Sequence, residues 1–413
     1  VKRLSRARAG RLLVCATATV LLAGCIHGES TSTPAVPDVP TLNLAVASSR
    51  TSATVGFSTG ANRGRTLDGE FAQQAAGGVH LARTDIQMSD VWRSRTTNWT
   101  APSAWSAPDQ VVTAAARHGQ WLHALIDSPS SWSTDSSCGE QSWHCGPSGS
   151  PSDAQSGAAA YVRFAAAAAH RYCRALRTLE VLNEPNSLPT YWQHPDQYAH
   201  LFVAVAKAVH AACPSARVEP GGTAAVGTSN ADEGYAPTEW YQDLCATDGY
   251  AAVGTIATLH PYTFPSTPAD SDPNSQWRQL ASVNNTLKTD CRIIGPTLDI
   301  TEIGWPTAGG SRKPADTRYP EWQNHQPVTP YWQARFLQDA FDGVFILRHN
   351  DIKVGEVIVH QLRDAGSAND PDIEAHFGVT DQLGHPKPVS SDNGLHPRTT
   401  TAFQVVAAAA QAA

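Results

Sequence analysis

From about residue 51 onward, short apolar runs rich in β-branched residues alternate with longer, Ala-rich stretches. Eight of the short runs read as strands, over 53–58, 79–85, 121–126, 178–183, 217–221, 255–259, 297–302 and 356–362. The stretches between them carry helix start and stop signals. Ala107-Pro108-Asp109 opens a helix that Gly119 ends, and Pro195-Asp196 opens one that runs to Cys213. Thr329-Pro330 supplies an N-cap and a first-turn proline, and 400–410 reads as a closing helix. Strands that alternate with helices predict a parallel sheet with crossover helices. Eight such units predict that the sheet closes as a (β/α)8 barrel, one domain over residues 51–413.

Composition changes this picture little. The 413 residues are 41% apolar and 16% charged, enough to bury a large core, and the formal net charge is −7. A nucleic-acid partner calls for a basic face, which this balance does not offer. No cofactor or metal motif is present, and a monomer is expected.

The first residues set the compartment. Lys2, Arg3, Arg6, Arg8 and Arg11 precede an apolar run over 12–23, which is too short to span a membrane. It ends Leu22-Ala23-Gly24-Cys25, which resembles the bacterial lipobox. That resemblance implies a signal peptide over 1–24 and a lipid on Cys25. A Ser/Thr/Pro-rich tether would follow over 25–50, on a protein held at the outer face of the cell membrane by lipid alone. An ordinary signal peptide cut nearby is the alternative, and it also exports the chain. With Cys15 and Cys25 set aside, six of the eight cysteines remain, an even number suited to an oxidising compartment. Cys138 and Cys145 enclose a short loop. Cys173 and Cys213 each precede a strand, as do Cys245 and Cys291. If those strands are neighbours in the barrel, the bridges are 138–145, 173–213 and 245–291. A zinc site is the alternative, but no ligand spacing supports it.

Catalytic residues of a parallel barrel sit where strands end and βα loops begin. Two glutamates occupy such places. Glu184 follows the run 178–183 and precedes Pro185, and Glu302 ends the run 297–302 ahead of Ile303-Gly304-Trp305-Pro306. Asn183-Glu184-Pro185 after strand 4, and Thr301-Glu302-Ile303-Gly304-Trp305 after strand 7, resemble the signatures of the "4/7" clan of retaining glycoside hydrolases, which includes families 5 and 39. The resemblance implies that Glu184 is acid/base and Glu302 nucleophile, and that Asn183 contacts the sugar 2-hydroxyl. Arg83 resembles the clan arginine that keeps the nucleophile ionised. His260-Pro261-Tyr262 resembles the His-x-Tyr that contacts both carboxylates. Phe377-Gly378-Val379 and the segment 384–388 resemble the approach to the last helix.

The clan's strand-8 tryptophan has no counterpart in Val359-His360-Gln361-Leu362-Arg363. Trp305 and Trp132 are the candidates to replace it, and Tyr191-Trp192 is a candidate subsite wall. Asp85 reads as a structural partner of Arg83. Asp127 has no assigned role, and Glu180 is expected to face helix packing or solvent. The expected function is hydrolysis of a β-linked oligo- or polysaccharide by double displacement. A transglycosylase would use the same residues, and an inactive glycan-binding lipoprotein would share the barrel. A solute-binding lipoprotein would instead show two lobes.

Overall fold

A computed structural model describes residues 53–59, 67–138, 145–191, 193–230, 234–268, 276–309, 327–389 and 400–412. The expected leader, Cys25 and the tether lie outside the described residues, as does Trp192. Eight parallel strands form one sheet. They are β1 Thr54–Ser58, β2 Leu81–Gln87, β3 Trp121–Asp127, β4 Leu176–Val181, β5 Arg217–Pro220, β6 Ile256–Leu259, β7 Thr297–Ile303 and β8 Lys353–Val359. The order around the sheet is β5-β4-β3-β2-β1-β8-β7-β6. Its two ends meet just beyond β5. There the Thr223 N–H donates to the Thr258 carbonyl at 3.1 Å, and the His260 N–H donates to the Thr223 carbonyl at 3.0 Å. The result is the predicted (β/α)8 barrel, with helices on the outside of the strands.

The helices begin where the sequence signals place them. Helix Pro195–Ala212 starts on its proline. Helix Pro330–His349 is capped by the Thr329 hydroxyl, which accepts from the Trp332 N–H. Helix Ala402–Gln411 starts with a reciprocal capping box between Thr401 and Gln404. The bridges Cys138–Cys145, Cys173–Cys213 and Cys245–Cys291 are all formed. The last two tie together the αβ connections at the N-terminal end of the barrel, opposite the strand ends that carry Glu184 and Glu302.

Strand 8 departs from the expected range. It begins at Lys353 and ends at Val359, three residues earlier than 356–362. Its first residues alternate charged and apolar, because Lys353 is exposed at the barrel floor while Glu356 points inward and is fully buried. An apolar-run criterion misses such a start. The chain then leaves the strand through a cis His360–Gln361 peptide.

The barrel interior is not a stack of branched aliphatics. His123, Glu180, Glu219, Asp299 and Glu356 are all fully buried inside it. His123 donates through Nδ1 to Glu356 at 2.8 Å and through Nε2 to Glu180 at 2.9 Å. Arg217 pairs with Asp299 at 2.5 Å and with Glu356 at 2.8 Å. Arg177 adds a third donor to Glu356, also at 2.8 Å. Buried charges are tolerated when they are paired and hydrogen-bonded, and this network meets that condition for most of its members.

Candidate active site

Glu302 stands near the C-terminal end of β7, where the barrel opens. Its Oε1 accepts from Arg83 Nη1 at 2.5 Å, and its Oε2 accepts from the Tyr262 hydroxyl at 2.8 Å. Burial works against its charge, but His260, His360, Arg83 and the Tyr262 hydrogen bond outweigh burial. They hold the carboxyl at about 2, below the ordinary carboxylate range. Glu302 is therefore an anion at neutral pH.

Arg83 is 2% exposed and fully engaged. Its Nε and Nη2 donate to Glu180 at 2.6 and 3.2 Å, and Nη2 also donates to Asn183 Oδ1 at 2.8 Å. Contrary to the expectation from the sequence, Glu180 does not face helix packing or solvent. It lies inside the barrel and also accepts from His123 Nε2, from the Gly222 N–H at 2.8 Å and from Thr301 Oγ1 at 3.3 Å. Six of the strands carry two charged or ionisable residues each, and Arg83, His123, Glu180, Glu219, Asp299 and Glu356 are the buried members. That recurrence marks strands with a polar side, but it does not tell which of the two residues faces the barrel axis.

Glu184 is placed by an irregular turn. β4 ends at Val181, and Leu182 and Glu184 both adopt left-handed backbone conformations, with φ of 63° and 47°. Such conformations cost non-glycine residues roughly 1–3 kcal/mol each and collect at functional sites. The surroundings enforce the turn. The Leu182 N–H donates to the Ile126 carbonyl at 3.0 Å, and the Glu184 N–H to the Gly222 carbonyl at 3.0 Å. Asn186, fully buried, accepts from the Ala224 N–H at 2.7 Å and donates to the Tyr235 carbonyl at 2.7 Å.

His260 joins the two glutamates. Its Nδ1 donates to Glu184 Oε1 at 3.0 Å and lies 3.8 Å from Glu302 Oε2. Two atoms that close to a common third are no farther apart than the sum of the two distances, 3.0 plus 3.8, or 6.8 Å. Burial would hold the imidazole neutral, but the charges of Glu302 and Glu184 raise its pKa above the ordinary value.

A cavity of about 450 Å³ opens beside Glu302, a size within the roughly 300–1,000 Å³ range of small-molecule sites. Arg83, Asn183, Asp85 and Asp127 line one side, and His360 and Gln361 stand at the end of β8. Asp370, Asp372 and Glu374 come from the loop after β8. His360 Nδ1 is 3.8 Å from Glu302 Oε2. The pair His360-Gln361 thus occupies the place for which the sequence reading sought a tryptophan.

Neither tryptophan candidate is there. Trp305 is fully buried, donates its indole N–H to the Ser266 carbonyl at 2.8 Å and packs on Phe336. It has no face left for a ligand. Trp132 donates to the Trp92 carbonyl at 2.9 Å and packs against the Trp92 ring, which stacks in turn on Trp99. Large flat rings gain most by packing on one another, and that outweighs exposure to the cavity. Tyr191 is also buried, its hydroxyl donated to the Pro147 carbonyl at 2.8 Å. His123, Glu180 and Glu219 bring donor atoms within 4.8 Å of one another, a spacing that suits a metal. Both ring nitrogens of His123 already serve Glu180 and Glu356, however, and Glu180 already holds Arg83, so the group is built as an ion-pair network.

No family model matches the chain, and no curated protein does. Solved structures with this fold are numerous. A family 39 glycoside hydrolase from Bacteroides cellulosilyticus WH2 superposes with a TM-score of 0.59 at 17% identity, over 86% of this chain and 63% of that one. The exo-β-1,4-mannosidase from Opitutaceae bacterium strain TAV5 gives 0.56 at 13% identity, over 88% of this chain and 60% of that one. The chain therefore spans less than two thirds of either. A GH5_18 variant from Streptomyces cattleya, in complex with the disaccharide Manβ1-4GlcNAc, gives 0.56 at 17% identity, over 87% and 80%. At such identities the likeness is one of fold: the chain has the barrel of family 5 and family 39 glycoside hydrolases.

Proposed function

We propose that this protein is a retaining glycosidase, with Glu302 as the nucleophile and Glu184 as the acid/base. One observation carries the reading. Two glutamates from the ends of β4 and the seventh strand share His260 Nδ1, so their oxygens stand within 6.8 Å. That bound admits the separation of about 5–5.5 Å of double displacement and leaves out most of the about 6.5–9.5 Å that the inverting reaction needs to admit a water. The asymmetry of the two environments gives each carboxylate its role. Glu302 accepts from Arg83 and Tyr262 and is held ionised, as a nucleophile must be. Glu184 is the more exposed, its side chain 23% accessible against 12% for Glu302, and it lacks an arginine partner among the described residues. That position suits a group that passes a proton to and from substrate.

In the first step Glu302 attacks the anomeric carbon and the glycosidic C–O bond breaks. Glu184 gives its proton to the departing oxygen, and the sugar becomes an ester of Glu302. In the second step Glu184 takes a proton from water, the water oxygen bonds to the anomeric carbon, and the ester C–O bond breaks to release Glu302. Asn183, held by Arg83 at 2.8 Å, contacts the 2-hydroxyl in this reading. The substrate is a β-linked glycan. Three disulfides fit a protein exported to an oxidising compartment, and no described helix is long and apolar enough to cross a membrane.

The test is a screen of aryl β-glycosides, followed by NMR of the first-formed anomer on the best substrate. A β product from a β substrate is expected, with turnover lost by at least about 10³-fold in Glu302→Gln. Loss of about 10²–10⁴-fold is expected in Glu184→Gln. An α product, or a Glu302→Gln variant that keeps most of its activity, refutes the reading.

A further inference from the structure

We propose that the cavity beside Glu302 selects a sugar ring that carries no negative charge, and that Asp85 and Asp127 impose the selection. The inference rests on reading the same site as a glycosidase. It begins from the charges that line the cavity. Asp85 and Asp127 face it from the second and third strands, and Asp370, Asp372 and Glu374 face it from the loop after the eighth. Glu302 adds a further carboxylate. Among the described lining residues, the one side chain with a fixed positive charge is Arg83. It is already spent, donating to Glu180, Glu302 and Asn183.

A uronate entering this space would find Arg83 already committed and only the His360 imidazole, itself beside Glu302, as a further cationic group, and it would stand among several carboxylates. An unpaired charge under those conditions is costly. A ring that offers hydroxyls, or an ammonium, meets acceptors instead. Besides the carboxylates there is Gln361, which is 7% exposed and lines the cavity. Its Oε1 accepts no hydrogen bond among the described residues, and its amide donates toward His360 Nε2 at 3.3 Å. The state of Asp127 agrees. Burial, and then the neighbouring charge of Asp85, push its carboxyl up to about 7. A further anion would worsen that repulsion, whereas a hydroxyl or ammonium donor relieves it.

Isothermal titration calorimetry on the full chain at low ionic strength tests this. The probes are the methyl β-glycosides of glucose and mannose, their 2-amino-2-deoxy forms and their uronates. At least one neutral glycoside should bind, its amino form at least as tightly, and the matching uronate about 100-fold more weakly or worse. In Asp85→Asn/Asp127→Asn the neutral-to-uronate ratio should narrow by about tenfold or more. Asp127→Asn alone should narrow it in the same direction, and it serves if the double variant does not fold. A uronate that binds as well as its neutral parent overturns the proposal. So does a ratio unchanged in a folded variant, and so does failure of every neutral glycoside to bind. Turnover of aryl glycosides is scored separately. Charge-selective binding without turnover would remove the glycosidase assignment and leave the selection standing.

Discussion

Arg83 does two things at once: it locks Glu180 inside the barrel and keeps Glu302 ionised at the surface of the cavity. The second role predicts a pH effect with a definite sign. Removing a positive charge from beside a carboxylate makes ionisation harder. The acid limb of kcat/KM, which reports the free enzyme, should therefore move to higher pH in Arg83→Gln, by about 1 pH unit or more. A pH–rate profile on the best aryl glycoside checks this, and a limb that stays put would separate Arg83 from Glu302. At the scale of single residues the sequence was informative wherever a residue type has few uses. Two glutamates at strand ends, one of them before a proline, stood out because their flanking residues resemble the signatures of a known clan. Glu180 did not, because nothing local tells whether a strand residue faces the barrel axis or the helices.

Among the elements, the chain after the fifth strand approaches that after the sixth closely at the site. A Cβ at Gly222 would stand 2.2 Å from His260 Nε2 and 2.4 Å from Thr301 Oγ1. The Gly222 N–H also donates to Glu180. Gly222→Ala should therefore push His260 away from the two glutamates. Small displacements of a positioning group are expensive, and kcat/KM should fall by about 10²-fold, with a modest stability loss of about 1–3 kcal/mol from overpacking. Kinetics and thermal melts on the same preparation separate the two effects. The bridge Cys245–Cys291 lies at the opposite end of the barrel and closes a segment with a sequence separation of 46. The double variant Cys245→Ser/Cys291→Ser should lose about 2–4 kcal/mol in denaturant unfolding, with kcat of the folded fraction unchanged. Strand positions were legible from their apolar runs to within two or three residues: β2, β4 and β8 lie at 81–87, 176–181 and 353–359 against the expected 79–85, 178–183 and 356–362. The largest shift is in β8, whose first residues mix charge with apolar positions.

The whole molecule carries its buried charges in two groups with opposite pH responses. Glu302 and Glu356 are each held at about 2. For Glu356, burial is outweighed by His123, Arg217 and Arg177. Glu180 is depressed as well, because Arg83 and His123 outweigh its burial. These groups contribute stability above the unfolded carboxylate value, and lose it as pH falls through their folded values. Glu219, Asp299 and Asp127 are raised chiefly by burial, Asp127 to about 7. His123 is raised too, because Glu180 and Glu356 overcome its burial. Each of these four binds its proton more tightly when folded. Their stability is present at low pH and is lost as pH rises through the folded values. The melting temperature should thus peak on the acid side of neutrality, at about pH 5, and decline in both directions. Differential scanning calorimetry from pH 3 to 9 checks this, and a maximum above pH 8 would contradict it.

The amino-acid sequence by itself determined the eight alternating units and the caps that start the helices, and it offered the two glutamates as candidates. These are local matters, set by periodicity, by proline and glycine, and by which residues a strand end can carry. Tertiary structure alone decided what faces what. It turned Glu180 and His123 inward and put His360 and Gln361 where a tryptophan was sought. It buried Trp305 and packed Trp132 against Trp92. The reason is that closing a sheet into a barrel makes neighbours of residues on different strands. Whether a side chain meets a charge, a ring or a cavity depends on strand register and stagger, which no short stretch of sequence contains.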